Sequence, residues 1–173
     1  MILKIFQPKL NLLTITLLLI TIAPSAFAQQ SAKKTGSAKK TDSEYINSIL
    51  PQARRIKKEY GIPLDLTLAI ARQESGNGDY IIGKGNHFGL RCDSDDCITL
   101  EKNGQMINYE TCPQISECFN IFAESINALT KDQPVTLQRI YENGYATSPQ
   151  WVDKVKTIRE EVRQTLSNAG IKY

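Results

Sequence analysis

Apolar side chains recur at helical spacing in five stretches of the chain and alternate at strand spacing in one. The first stretch places Tyr45, Ile46, Ile49, Leu50, Ala53 and Ile56 on one helical face, with Ser43 as a cap at its start and Gly61 as the stop after Tyr60. Pro51 lies inside this pattern, where its missing N–H and bulky ring predict a kink or a split. Pro63 opens a second helix at the position where a missing N–H loses no partner. Leu64, Leu66, Leu68, Ala69, Ile70 and Ala71 make that helix apolar nearly all round, which is the pattern of a buried helix, and Gly76 and Gly78 terminate it. Residues 76–96 are rich in Gly, Asn and Asp and read as a long loop, a length that in a compact domain often serves function. Ile98–Tyr109 then reads as a hairpin turned at Asn103-Gly104. A two-residue turn sets Leu100 against Ile107 and Ile98 against Tyr109 on one apolar face, and puts Thr99, Glu101, Met106 and Asn108 on the other. Three more helices are predicted over Ile115–Leu129, Pro134–Glu142 and Ser148–Ser167. The whole is mainly α (α+β), with one short β-hairpin.

Two segments stand outside this pattern. Lys4 and Lys9 precede an apolar run from Leu10 to Ala23, and Ala26-Phe27-Ala28 follows as a small-x-small cleavage site. Residues 1–28 therefore read as a secretory signal peptide, with an uncleaved membrane anchor as the competing reading. No Cys follows the expected cut, which argues against a lipid anchor. Residues 29–41, QQSAKKTGSAKKT, carry no apolar side chain larger than Ala and read as a flexible basic linker, a solvated spacer that could also touch anionic polymers. Residues 42–173 form one small domain of about 130 residues.

The 21 Lys and Arg residues against 18 Asp and Glu give a formal charge of +3. Six of the basic residues, Lys4, Lys9, Lys33, Lys34, Lys39 and Lys40, precede Asp42, whereas every acidic residue lies at or after it. The domain is thus net acidic, without the basic stripe of a nucleic-acid binder. Its four cysteines, Cys92, Cys97, Cys112 and Cys118, suggest disulfides in an exported chain, with three possible connectivities. A zinc site is the alternative, and the spacings are loose for one. No dinucleotide fingerprint, phosphate loop or paired His on a helix is present.

The chemistry centres on Ala71-Arg72-Gln73-Glu74-Ser75-Gly76. Glu74 falls at the C-terminal end of the buried helix, the negative pole of its dipole, above an apolar body. Both features disfavour a carboxylate and predict a raised pKa, as a general acid requires. A surface Glu that tolerates a helix end is the plainer reading.

The run IPLDLTLAIARQESGNG resembles the catalytic helix of two lysozyme-like groups, the lytic transglycosylases and glycoside hydrolase family 73, both with Glu before Ser-Gly. Gly85-Asn86-His87-Phe88-Gly89-Leu90 looks like the Asn-Asn-Leu-Phe-Gly-Ile segment of family 73, and Gly144-Tyr145-Ala146-Thr147-Ser148-Pro149 like its Gly-Tyr-Ala-Thr-Asp-Pro motif. The Gly-Leu-Met-Gln signature of the transglycosylases is absent. The resemblance covers nearly all of 45–163. Asn77-Gly78 stands where the family often has Trp-Gly, and Ser148 where it has Asp.

The resemblance implies a lysozyme-like domain that hydrolyses the β-1,4 bond after N-acetylglucosamine in peptidoglycan, with Glu74 as the acid. Glycosidases usually set two carboxyl groups about 5–5.5 Å or about 6.5–9.5 Å apart. The family's second Glu is proposed on the hairpin in a Thr-x-Glu context, which Thr99-Leu100-Glu101 matches. Glu101 is then base or electrostatic stabiliser, or else an exposed charge beside Lys102. Tyr145 is implied to line the cleft and orient the substrate's acetamido group, whose assistance would lower the need for Glu101. Asn86, His87 and Phe88 are assigned to the cleft floor and, with Thr147, to substrate binding. Trp151 is read as core against Val155 and Ile158, with sugar stacking as the lesser alternative. Glu110 and the Asp93, Asp95, Asp96 cluster are weaker acids. Binding of Ca²⁺ at that cluster is a lesser reading than solvated loop acids. No metal or organic cofactor is expected. The expected partner is the glycan strand, met by a monomer in the periplasm or outside the cell, with no nucleic acid and no membrane anchoring after signal cleavage. A transglycosylase with the same Glu74, and a wall-binding or assembly module without activity, are the rival readings.

Overall fold

The computed structural model describes residues 40–173 except Asp95 and Asp132. The expected signal peptide and all but the last two residues of the expected linker lie outside the described residues. The order is α1 (Asp42–Tyr60), α2 (Leu64–Ser75), β1 (Ile98–Lys102), β2 (Gln105–Tyr109), α3 (Ile115–Thr130), α4 (Leu137–Glu142) and α5 (Trp151–Asn168). The mainly α architecture with one hairpin is the one the periodicity predicts.

α1 buries the six residues of its predicted stripe. Its cap is Thr41 rather than Ser43. The Thr41 hydroxyl accepts from Glu44 N at 3.2 Å, and Glu44 Oε2 accepts from Thr41 N at 2.8 Å. The reciprocal box needs an acid three residues after the cap; Thr41 has Glu44 there, whereas Ser43 would have Ile46. Pro51 does not split the helix. Its ring removes the hydrogen bond to Asn47 O, and both residues sit on the exposed side of α1, where water can serve that carbonyl. Gly61, at φ +71°, closes the helix in the left-handed conformation that costs glycine nothing.

Pro63 is the N-cap of α2, one place before its expected position, and the helix behind it is buried on nearly every side. α2 packs on both α1 and α5, the latter being the most extensive helix contact, while α3 joins α1 to α4. An ion cluster clasps α2 to α5. Asp65, 3 % exposed, accepts from Arg159 Nε at 2.7 Å, Arg159 Nη2 at 3.1 Å and Arg163 Nε at 2.6 Å. Burial alone would raise its pKa, but the two guanidinium groups outweigh it and hold the carboxyl below its ordinary range.

The hairpin has the predicted register, with Leu100 opposite Ile107 and Ile98 opposite Tyr109. Asn103 and Gly104 both have positive φ, as a two-residue primed turn demands. The cysteines pair locally, Cys92 with Cys97 and Cys112 with Cys118, and none is left free for zinc. The first pair closes the approach to β1 and the second ties the exit of β2 to the first turn of α3. The last two helices start three residues later than predicted, at Leu137 and Trp151. Among the described residues no helix is long and apolar enough to cross a membrane.

Candidate active site

Glu74 lies in the last turn of α2, one residue before the end set by left-handed Gly76. It is half-buried. Burial raises its pKa, opposed by a hydrogen bond from Trp151 and by the charge of Lys102, and the net direction is upward. Trp151 Nε1–H donates to Glu74 Oε1 at 2.7 Å. The other oxygen faces Gly89, where a Cβ would stand 4.0 Å from Oε2. The Gly-rich loop thus offers bare backbone to the acid.

Tyr145 reaches the same place from the segment between α4 and α5. Its ring packs 5.3 Å from Trp151 and edge-on to Phe122. Its hydroxyl is buried and, among the described residues, has no hydrogen-bond partner. Burial first, and the Glu74 charge second, push its pKa well above the ordinary phenol value. A neutral buried hydroxyl without a partner is a donor waiting for an acceptor.

Behind the acid, the structure is fully bonded. Asn86 Nδ2 donates to Leu90 O at 3.0 Å and Glu110 O at 3.1 Å, while its Oδ1 accepts from Phe88 N at 3.2 Å and Leu90 N at 3.0 Å. Phe88 stacks on Phe122 at 3.9 Å between ring centres. His87 Nδ1 lies 3.0 Å from Tyr45 Oη, which in turn is 2.8 Å from Ser75 Oγ. Burial first, and the charge of Lys40 second, bring the His87 pKa down to about 4, so the ring is neutral near neutral pH. Asn86, His87 and Phe88 are all buried. They are packed into the interior and are not open to solvent.

The hairpin presents its two faces differently. Lys102 shares the inward face with Ile98 and Leu100, and its charge reaches Glu74. Glu101 points to the outward, exposed face with Met106 and Asn108, because neighbouring strand residues alternate. The structure therefore brings Lys102, and not Glu101, toward the acid. Thr147 is exposed in the segment before α5, and Asp93 and Asp96 are exposed in the loop before β1. Among the described residues no three metal-ligating side chains are gathered. A shallow pocket of about 280 Å³ near the hairpin, lined by Arg91, Asp93, Gln105, Met106 and Asn108, does not include Glu74.

Trp151 makes the contact to Glu74 that the sequence alone did not reveal. It is 4 % exposed, as a core residue should be, yet its polar edge is spent on the acid. The available signal was a lone Trp just past the Tyr145 motif, whose N–H must find a partner once buried.

Residues 50–164 match the family model for mannosyl-glycoprotein endo-beta-N-acetylglucosaminidase. No curated protein matches the sequence. Several solved structures share the fold. The glycoside hydrolase domain from Salmonella typhimurium FlgJ superposes with a TM-score of 0.63 at 17 % identity, over 76 % of this chain and 94 % of that one. A peptidoglycan hydrolase from Sphingomonas sp. A1 gives 0.62 at 19 % identity, over 76 % and 97 %. The catalytic domain of the autolysin Auto from Listeria monocytogenes gives 0.59 at 20 % identity, over 75 % and 89 %. These likenesses establish a common helical fold with its hairpin.

Proposed function

The chain belongs to the mannosyl-glycoprotein endo-beta-N-acetylglucosaminidase family of glycoside hydrolases, and on that footing we propose that it cuts the β-1,4 bond after N-acetylglucosamine in bacterial peptidoglycan. The observation that carries the reading is the half-buried Glu74, its pKa raised, beside the unpartnered hydroxyl of Tyr145. The solved relatives described as peptidoglycan hydrolase and autolysin support the choice of polymer.

In this reading Glu74, its pKa raised by burial, gives its proton to the bridging oxygen as the C1–O bond breaks. Tyr145 donates to the acetamido carbonyl of the sugar and turns it toward C1. The acetamido oxygen covers the opposite face of the sugar until water completes hydrolysis. Glu101, on the outward face of the hairpin, is the less favoured partner, since it needs the hairpin to rearrange. Asn86, His87 and Phe88 act by holding the loop that carries Gly89 against the acid, and Thr147 is a contact on the rim. The protein works as an exported monomer whose disulfides suit an oxidising compartment.

Mass spectrometry of purified peptidoglycan digested by wild-type protein and by Glu74→Gln tests the reading. Reducing N-acetylglucosamine ends that vanish in the variant are expected. Anhydro-muramic ends would make the protein a transglycosylase. Bound sacculi with no released fragment at any pH would make it a wall-binding module.

A further inference from the structure

One oxygen of Glu74 is engaged by a partner that can play only one part. An indole N–H donates and never accepts, so Oε1 must offer Trp151 a lone pair in every ionisation state of the carboxyl group. A carboxylic acid carries its proton on one oxygen and accepts through the other. We propose that Trp151 is a positioning residue that reserves Oε1 of Glu74 as an acceptor and so keeps the acid proton on Oε2, the oxygen that faces Gly89. The inference rests on Glu74 being the general acid.

The surroundings suit this role. Trp151 opens α5, and its ring lies between Tyr141 at 6.4 Å and Tyr145 at 5.3 Å, so the indole is wedged and its N–H direction fixed. A fixed donor fixes the plane of the carboxyl group. Oε2 is then aimed along the glycine, where no side chain occupies the space a glycosidic oxygen needs. When the Oε2–H bond breaks and the proton passes to the bridging oxygen, the electron pair of the C1–O bond leaves with that oxygen. The carboxylate left behind is stabilised by the same indole donor.

The charged and titratable groups acting on Glu74 are Lys102 from β1 and Tyr145 from the segment before α5. His87, on the loop, is bonded to Tyr45 of α1, and Arg72, on α2 itself, is engaged with Asp42 and Glu161.

Trp151 is the only tryptophan of the chain, so the protein has one indole N–H resonance. A pH titration of the purified protein followed at that ¹⁵N–¹H resonance is the experiment. The resonance is expected to follow a single titration with a midpoint above 4.5, and to hold still over the same range in Glu74→Gln. A resonance that does not titrate, or that moves alike in Glu74→Gln, overturns the proposal. Trp151→Phe keeps a ring and removes the donor. It is expected to lower kcat about ten- to a hundredfold with KM little changed, and to move the alkaline limb of the kcat profile to higher pH, because a donor favouring the carboxylate is gone. A loss of thermal stability with the pH limb unmoved would show a merely structural tryptophan. Should Trp151→Phe fail to fold, the wild-type titration still decides. A titrating resonance in a protein that releases no glycan fragment upholds the pairing and overturns the hydrolase reading instead.

Discussion

The two ends of α2 each bury a carboxyl group, and they treat it in opposite ways. At the N-terminal end Asp65 is surrounded by two guanidinium groups and its pKa falls. At the C-terminal end Glu74 has one neutral donor in contact, with the Lys102 charge acting on it, and its pKa rises. Desolvation pushes both upward, so the downward shift of Asp65 has to come from its partners. The partner decides: a charged, bidentate partner turns a buried acid into a structural clasp, whereas a neutral partner leaves it able to hold a proton. The helix dipole runs the same way, favouring a negative charge at Asp65 and disfavouring one at Glu74.

Neutralising each acid in turn widens the contrast. Glu74→Gln is expected to lower glycan release about a thousandfold, within the usual worth of a general acid. Its thermal midpoint should stay at or above wild type, since the Gln carbonyl still accepts from Trp151. Asp65→Asn is expected to reverse that pattern. It leaves Arg159 and Arg163 facing a neutral amide and should cost about 2–3 kcal/mol in denaturant unfolding, less than the roughly 3–5 kcal/mol of a fully buried pair because both arginines are partly exposed. Turnover per folded molecule should be unchanged. If Asp65→Asn abolished turnover in a protein that remains folded, the division of labour along α2 would fail.

Tyr145→Phe probes the same contrast more gently. The hydroxyl it removes is buried and unpartnered, so stability should hold or rise. Activity should fall about tenfold if the hydroxyl meets substrate. A matching fall in stability would show that it serves the fold.

Gradual effects come last, as slopes of stability against pH read as thermal midpoints. Asp65, with its pKa lowered, contributes stability above its ordinary value of 3.8, which is lost as pH falls through the depressed folded value. Glu74, raised, does the reverse: stability declines as pH climbs from 4.5 through the raised folded value, and Glu74→Gln should flatten that decline. His87, brought down to about 4 from 6.5, adds a third slope, with stability lost as pH falls between those two values.

Much of this architecture is written locally. The stripe of α1 and the register of the hairpin follow from period and from Asn103-Gly104, which need no distant contact. Glu74 is legible for the same reason, since helix, glycine stop and acid lie within a few residues. The late starts of α4 and α5 are not legible from period alone, because Pro134 and Ser148 satisfy helix-start rules, whereas Pro134 lies in irregular chain and Ser148 O accepts from Trp151 N in a turn ahead of α5. Nor is the company of Glu74 legible. Trp151, Gly89 and Lys102 converge on it from three separate segments, and only packing brings them there. Asn86 and His87 illustrate the converse. Polar residues in a loop motif invite a binding role, yet here their polar atoms bond to the protein itself.

The docking of α5 onto α2 also sets an order of events in the life of the chain. A polypeptide made from its N-terminus carries Glu74 long before it carries Tyr145, Trp151 or the arginines that grip Asp65. Until those last residues are synthesised and seated, Glu74 has neither its indole donor nor its neighbouring hydroxyl. On the proposed mechanism activity arrives with the closing segment, so a chain whose synthesis stops before Tyr145 carries Glu74 without the partners that mechanism requires.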